Sequence, residues 1–366
     1  MKTLPLSTPR SSERKFAHTA SSARHLSGLT SAATTGSRSA RRSYLPSLIA
    51  LLVSLLTTTS NAGEIPDFLR PLAQPAQPVP AFAQGFQIDR DQTIAIFGGG
   101  NAAECQRNGW LELRFVSAHP RHHVRIRNMA WPADTVFAQP RPRNFYGRID
   151  PDYGEKDGRQ PIPADVIVLW FGQMESLAGK AGLPDFTAAY ENLIGQVGTY
   201  TSRIVLVTPA PFEDPLGLGF DLKQRNADLH QYAAAIRRIA AKRKLPVVDL
   251  TAALAGKHVT TDGALLSEKG HELAAQEFAR QLGFTGKLPQ FADYIRETIQ
   301  EKNVMWSRYW LPSNWAFLYG NRQSQPSSRD HQDNTRRWFP RELDQFRAQT
   351  EELESEIWKK VQPQRQ

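Results

Sequence analysis

From residue 93 onward, short apolar runs of strand character alternate with longer segments of helical spacing, and this alternation limits the fold more than any other feature of the chain. The runs cover residues 93–97, 124–129, 165–171, 204–207 and 247–250. Between them, residues 185–200 and 226–244 have helical spacing, the second through Leu229, Ala233, Ile236 and Ile239. Residues 267–282 close the series with Leu273, Phe278 and Leu282. Strands that alternate with helices build a parallel sheet covered on both faces. The expectation is a flavodoxin-like, three-layer α/β/α domain over residues 90–285. Ligands of such sheets bind at the carboxyl ends of the strands.

Charge separates the front of the chain from this domain. The 366 residues hold 45 Lys and Arg against 36 Asp and Glu, a formal net charge of +9. Residues 1–62 contain eight Lys or Arg and one Glu, which is +7, leaving +9 − 7 = +2 for the remainder. The basic balance belongs to the front segment, so it gives no reason to expect a nucleic-acid partner. That segment is rich in Ser, Thr, Ala and Arg, and it ends in an apolar run over residues 48–56 followed by Ser60-Asn61-Ala62. A positive region, a short apolar stretch and a small-x-Ala site are the parts of a secretory signal. Export with cleavage after Ala62 is expected, to the periplasm or beyond. Arg41-Arg42-Ser43-Tyr44-Leu45 also resembles a twin-arginine signal, so the general secretory and twin-arginine routes both stay open. The run is too short to span a membrane comfortably, and no stable span is expected after cleavage.

Residues 63–89 include Pro71, Pro75, Pro78 and Pro80 and read as an extended linker. Cys105 is the single cysteine, which excludes an intrachain disulfide and a Cys-x-x-Cys-His haem attachment. His122-His123, His258 and His271 fall in no metal-ligand spacing, so neither metal nor cofactor is expected. Residues 286–366 depart from the sheet pattern and read as a mainly helical extension. Five of the eight tryptophans, Trp306, Trp310, Trp315, Trp338 and Trp358, lie there, with Asn314, Tyr319, Arg322, Ser328, Arg329 and Asp330. Two readings are open: aromatic packing against the sheet domain, or a surface that stacks sugars or docks a protein. A stripe of Leu343, Phe346, Thr350, Leu353 and Ile357 on a last helix over residues 341–361 suggests a docking face.

Four stretches within residues 90–285 carry more specific information. They are Thr93-Ile94-Ala95-Ile96-Phe97-Gly98-Gly99-Gly100, Arg127-Asn128-Met129-Ala130-Trp131, Trp170-Phe171-Gly172-Gln173-Met174-Glu175-Ser176 and Thr261-Asp262-Gly263-Ala264-Leu265-Leu266. In this order and spacing they resemble the sequence blocks of the SGNH/GDSL hydrolase family of esterases and acylhydrolases. The resemblance implies a hydrolase fold and places Gly100 where the nucleophilic serine stands and Ala130 where a glycine N–H helps to hold the oxyanion. It also places Met174 where an asparagine amide donates to the oxyanion, and Leu265 where a histidine acts as base. Asp262, which orients that histidine, is retained. A thioether donates no hydrogen bond, and residues 97–104 contain no Ser or Thr, while Cys105 falls beyond them. Removing the serine or histidine of a triad costs on the order of 10⁶ in turnover, and removing an oxyanion donor roughly 10²–10³. The resemblance therefore implies the family's fold without its ordinary acyl-enzyme chemistry.

Three side chains are candidate substitutes: Cys105 near the start of a helix, where a thiol can be activated; His271, a solvent-facing histidine by its place early in a helix; and Glu175 beside the cleft. The cleft itself is expected to be lined by Gly98, Asn101, Trp131, Glu175, Ser176 and Asp262. Gly98-Gly99-Gly100 lacks the spacing of a phosphate-binding loop and reads as a tight turn. With Met174 and Leu265 apolar, the cleft is either a pocket for a glycan or an acylated small molecule, or a site filled in as core. An active carboxyl-ester hydrolase using other residues is the alternative function.

Overall fold

The computed structural model describes residues 79–138 and 164–362, other than residues 285 and 319. The signal, its apolar run and most of the linker lie outside the described residues. Among these, five parallel strands form one sheet in the order β2-β1-β3-β4-β5. They are β1 (Thr93–Gly98), β2 (Arg125–Asn128), β3 (Val166–Trp170), β4 (Ile204–Val207) and β5 (Val247–Val248). β2 to β5 fall within expected runs and β1 extends one residue past its own, to Gly98; the order is that of a flavodoxin-like sheet. The last run stops early because Asp249 accepts a hydrogen bond from the Ala252 N–H and starts a short helix at Leu250.

The period of two in each strand divides the core. Ala95, Phe97, Ile167, Leu169 and Leu206 face one side, against α3 (Leu183–Val197) and α4 (Lys223–Arg243). Ile94, Ile96, Val166, Val168, Val205 and Val207 face the other. There they meet α1 (Gly100–Asn108), α2 (Trp110–Ala118), the short α5 (Leu250–Ala253) and α6 (Glu268–Leu282). Ser267 caps α6 by accepting from the Gly270 N–H, and Gly283 ends it in the left-handed region. This is the expected three-layer domain.

The described part of the 63–89 segment is not a free linker. The Val79 N–H donates to the Tyr200 carbonyl at 3.0 Å, and the Phe86 ring lies 5.9 Å from Phe115 and 5.6 Å from Phe284. Phenylalanines placed to enter the core override the proline signal that suggested a spacer.

The C-terminal extension contains α7 (Ala292–Trp310), the short α8 (Trp315–Leu318) and α9 (Trp338–Val361), and belongs to the same compact unit as the sheet. It closes the free edge of β2. The Arg125 and Met129 N–H groups bond toward β1, so the carbonyls of residues 124, 126 and 128 face away from the sheet. Each meets a side chain of the extension: Trp358 Nε1 donates to Val124 O at 3.2 Å, Lys302 Nζ to Ile126 O at 3.3 Å and Trp306 Nε1 to Asn128 O at 2.8 Å. Lys302 is fully buried and pairs with Glu112 at 2.8 Å. Arg127 stacks on the Trp306 ring at 4.9 Å and forms a two-pronged pair with Glu354, whose Oε2 lies 3.0 Å from Nη2. Burial alone would push the Glu354 carboxyl up, but Arg127 holds it below its ordinary range. Trp306 and Trp310 are buried, Trp358 is half-buried and Trp338 is 41% exposed. The first three have packing roles, and the stripe through Leu343, Thr350 and Ile357 is buried within the same chain.

Removing one member of a buried ion pair leaves the other charge without compensation. Glu354→Ala should lower unfolding free energy by about 3–5 kcal/mol, whereas Arg127→Met with Glu354→Leu should recover most of that loss. Urea denaturation checks both, and a double variant no more stable than the single one would count against this account.

Candidate functional site

The four blocks converge at the carboxyl end of the sheet. β1 ends at Gly98, where a Cβ would sit 2.3 Å from the Trp170 carbonyl oxygen, so only glycine lets the first and third blocks run side by side. Gly99 then begins α1, whose N-terminus carries no side-chain cap. A Cβ on Gly100 would meet Leu265 Cδ2 at 2.8 Å. The two positions that the resemblance assigns to a serine and a histidine are thus neighbours across the cleft, with an apolar side chain leaning on a glycine.

Asn101 holds these loops together. It is 4% exposed; its Nδ2 donates to Gln173 Oε1 and to the Ala264 carbonyl, both at 2.9 Å, and its Oδ1 accepts from the Leu266 N–H at 2.7 Å. Gln173 also donates to the Ala264 carbonyl, at 2.9 Å. Position 263 requires glycine, because its φ is +96° and a Cβ there would lie 2.5 Å from Glu213 O. Asp262 is exposed and turns back on its own loop, with Oδ1 accepting from Ala264 N at 2.9 Å and Leu265 N at 2.7 Å. Burial works against its charge, but these N–H groups together hold the carboxyl below its ordinary range.

Other expected cleft residues have structural occupations. Ser176 is buried and its hydroxyl donates to Gln173 O at 2.6 Å; it does not border the cleft pocket. Glu175 is buried, with Oε1 accepting from Val136 N and Oε2 from Gly172 N, both at 2.9 Å. Burial raises its carboxyl, and those two bonds oppose the rise. Half-buried Trp131 donates its N–H to Gly98 O at 3.1 Å and lies outside the pocket lining. Ala130 keeps its backbone N–H, as expected, but that N–H is engaged by Asn128 Oδ1 at 3.0 Å.

The pocket bordered by Gly99, Gly100, Asn101, Asp134, Met174 and Glu175 leaves about 20 Å³ open to water. That is room for roughly one water molecule. The site is nevertheless not filled in as core, since Met174 is 51% exposed and Leu265 half-buried. Asp134, which carries no motif, is the residue that sequence reasoning passed over. It is 5% exposed, its carboxyl has no hydrogen-bond partner among the described residues, and burial pushes it up to about 7.

Of the three candidate substitutes only Glu175 borders this pocket, with both carboxylate oxygens already engaged; Cys105 and His271 do not join it. Cys105 lies on the buried face of α1, accepts a hydrogen bond from Asn128 Nδ2 at 3.3 Å, and is pushed up to about 12 by burial. His271 is not solvent-facing. It is 3% exposed, on the stripe of α6 that carries Ala274, Ala275 and Phe278 into the core. Its Nε2 is buried without a partner among the described residues, and burial lowers its pKa to about 4. No group of three or more metal-ligating side chains occurs among the described residues, and no helix among them is long and apolar enough to cross a membrane.

Residues 85–273 match the model of the GDSL-like lipase/acylhydrolase family, slightly more than half of the chain. The chain belongs to that family. No curated protein matches it. Among similar solved structures is an acetylxylan esterase, Axe2, from Geobacillus stearothermophilus, with 18% identity over 55% of this chain and 98% of that one, at a TM-score of 0.41. The lipase/acylhydrolase from Enterococcus faecalis has 19% identity over 54% of this chain and 99% of its own, at 0.40. LAE5, an alpha/beta hydrolase enzyme from the metagenome of Lake Arreo, Spain, has 15% identity over 55% and 99%, at 0.41.

His271 makes stability depend on pH in a defined direction. Between its folded value of about 4 and its ordinary value of 6.5 the unfolded chain binds the extra proton, so stability rises with pH. Its contribution is complete above about 6.5 and lost as pH falls toward 4; the shift corresponds to about 3 kcal/mol. Chemical denaturation at pH 7 and 4.5 should show a smaller acid loss in His271→Leu than in the parent chain.

Proposed function

We propose that this chain is an exported, non-catalytic member of the GDSL-like lipase/acylhydrolase family, acting outside the cytoplasm as a ligand-binding or protein-interaction module. One observation carries the reading: Gly100 and Leu265 face each other where the family's nucleophile and base belong. Glycine has no side chain to attack an acyl group, and leucine takes up no proton. The donors of an oxyanion hole are weakened in parallel, since Met174 donates nothing and the Ala130 N–H is already engaged. With both nucleophile and base absent, acyl-enzyme turnover falls by on the order of 10⁶. Export is supported by the order of basic region, apolar run and Ser60-Asn61-Ala62. The ligands that suit the reading are a glycan or an acylated small molecule at the cleft, or a protein partner on the C-terminal surface.

A second reading, an active carboxyl-ester hydrolase, is favoured by Asp134 alone. A carboxyl held near neutrality beside a one-water pocket has the properties of a general base. The two readings separate in one set of assays. For the non-catalytic protein, fluorophosphonate probes should leave every serine unlabelled, and turnover of short acyl p-nitrophenyl esters should stay at background. Turnover that survives the probe but disappears in Asp134→Asn would establish the second reading. Stoichiometric labelling of one serine, abolished by replacing that serine, would overturn both.

A further inference from the structure

We propose that the pocket at the N-terminus of α1 receives a single free hydroxyl group of a carbohydrate or polyol, with first-turn N–H groups of α1 donating to the hydroxyl oxygen and the Asp134 carboxylate accepting its hydrogen. The proposal rests on the binding-module reading and names the ligand class for that same cleft.

Three observations lead to it. The N–H groups at the start of a helix have no acceptor within the helix, and here no side chain caps them. Asp134 borders the same space, is 5% exposed and has no hydrogen-bond partner among the described residues. Glu175, the other titratable group among the described lining residues, has both oxygens engaged by Val136 and Gly172 N–H groups. Asp134 is therefore the lining carboxylate left to accept. Donors and one acceptor that share a small space match a group that both accepts and donates, which a hydroxyl does.

Size narrows the choice. About 20 Å³ admits one oxygen-sized group. A hydroxyl brings one heavy atom into that space, a carboxylate head brings three, and an acetylated oxygen brings its acyl group with it. The ligand class is thus the unesterified alcohol. The turn that carries Asp134 begins at half-exposed Trp131, through the Asp134 N–H to Trp131 carbonyl bond of 2.9 Å.

Charge gives the pH sign. Burial holds the Asp134 carboxyl near 7, and the ionised form is the better acceptor, so binding strengthens as pH rises through that value.

The full chain, followed by the amide resonances of Gly99, Gly100 and Asn101, would be titrated with cellotetraose, its fully O-acetylated form, glycerol and sodium acetate at pH 6 and 8. Cellotetraose should shift these resonances and bind roughly tenfold tighter at pH 8, the ratio of ionised fractions for a group titrating near 7. A response to glycerol as well would assign the site to hydroxyls of either source, and a response to cellotetraose alone would assign it to sugars. The acetylated form should not bind there. Asp134→Asn should keep the fold, as judged by melting temperature, and lose the pH slope; Asp134→Leu should weaken binding on the order of tenfold or more. No shift with either alcohol, acetate binding that strengthens as pH falls, or an unchanged pH slope in Asp134→Asn would overturn the proposal. Serine labelling by fluorophosphonate with cellotetraose binding intact would overturn the non-catalytic reading alone.

Discussion

The open edge of β2 is the constraint from which much of the architecture follows. A parallel sheet of five strands has two edges, and an edge strand offers a row of unpaired carbonyls to any passing chain. Here that row is met by Trp358, Lys302 and Trp306 on residues 124, 126 and 128. Bringing a lysine into the interior to do this requires Glu112, and burying Arg127 beside it requires Glu354. The pairing explains why the extension is needed as a whole: α7 supplies Lys302 and Trp306, and α9 supplies Glu354 and Trp358. Neither helix satisfies β2 without the other.

The same edge ties the extension to the cleft. Arg127 and Asn128 belong to the second block, and Asn128 reaches in three directions. It donates to Ala102 O at 2.7 Å and to Cys105 Sγ, it accepts from Ala130 N, and its own carbonyl receives Trp306. The turn after β2 is therefore fixed from beneath by α1 and from the side by α7. That turn carries Trp131 and Asp134, so the position of the one uncommitted carboxyl in the pocket depends on side chains from a region outside the matched family residues.

The layers were legible because they depend on local periodicity. Runs of residues apolar on both faces, separated by helices with stripes such as Leu229, Ala233, Ile236 and Ile239, leave few arrangements other than a doubly covered parallel sheet. The blocks were legible because their spacing is preserved, and the approach of Leu265 to Gly100 brings the first and last of them to one place. His271 could have been read correctly: residues 271, 274, 275 and 278 lie on one face of α6, and its place early in the helix, rather than that face, put it in solvent. Asp134 could not. It belongs to no periodic segment, and its burial is made by elements distant in sequence. The pairs Lys302 with Glu112 and Arg127 with Glu354 are separated by 190 and 227 residues, beyond the reach of any pattern in the chain itself.

Gly100 and Leu265 are physically coupled in the cleft. At Gly100 any side chain would displace Leu265, and the available response is rotation of the leucine, since the encroaching atom is the far end of a flexible side chain. Leu265 in turn is held by its backbone: its N–H is fixed by Asp262, its carbonyl accepts from Thr261 N at 2.8 Å, and the residue before it is held by Asn101 and Gln173. Asp262 thus has a structural duty, fixing the backbone of the loop that carries Leu265. The backbone groups around the pocket are held by these bonds, and the side chains facing into the cleft set its chemistry. Under the non-catalytic reading proposed above, such a scaffold selects ligands by shape and hydrogen bonding alone, without a reactive group to spend binding energy on.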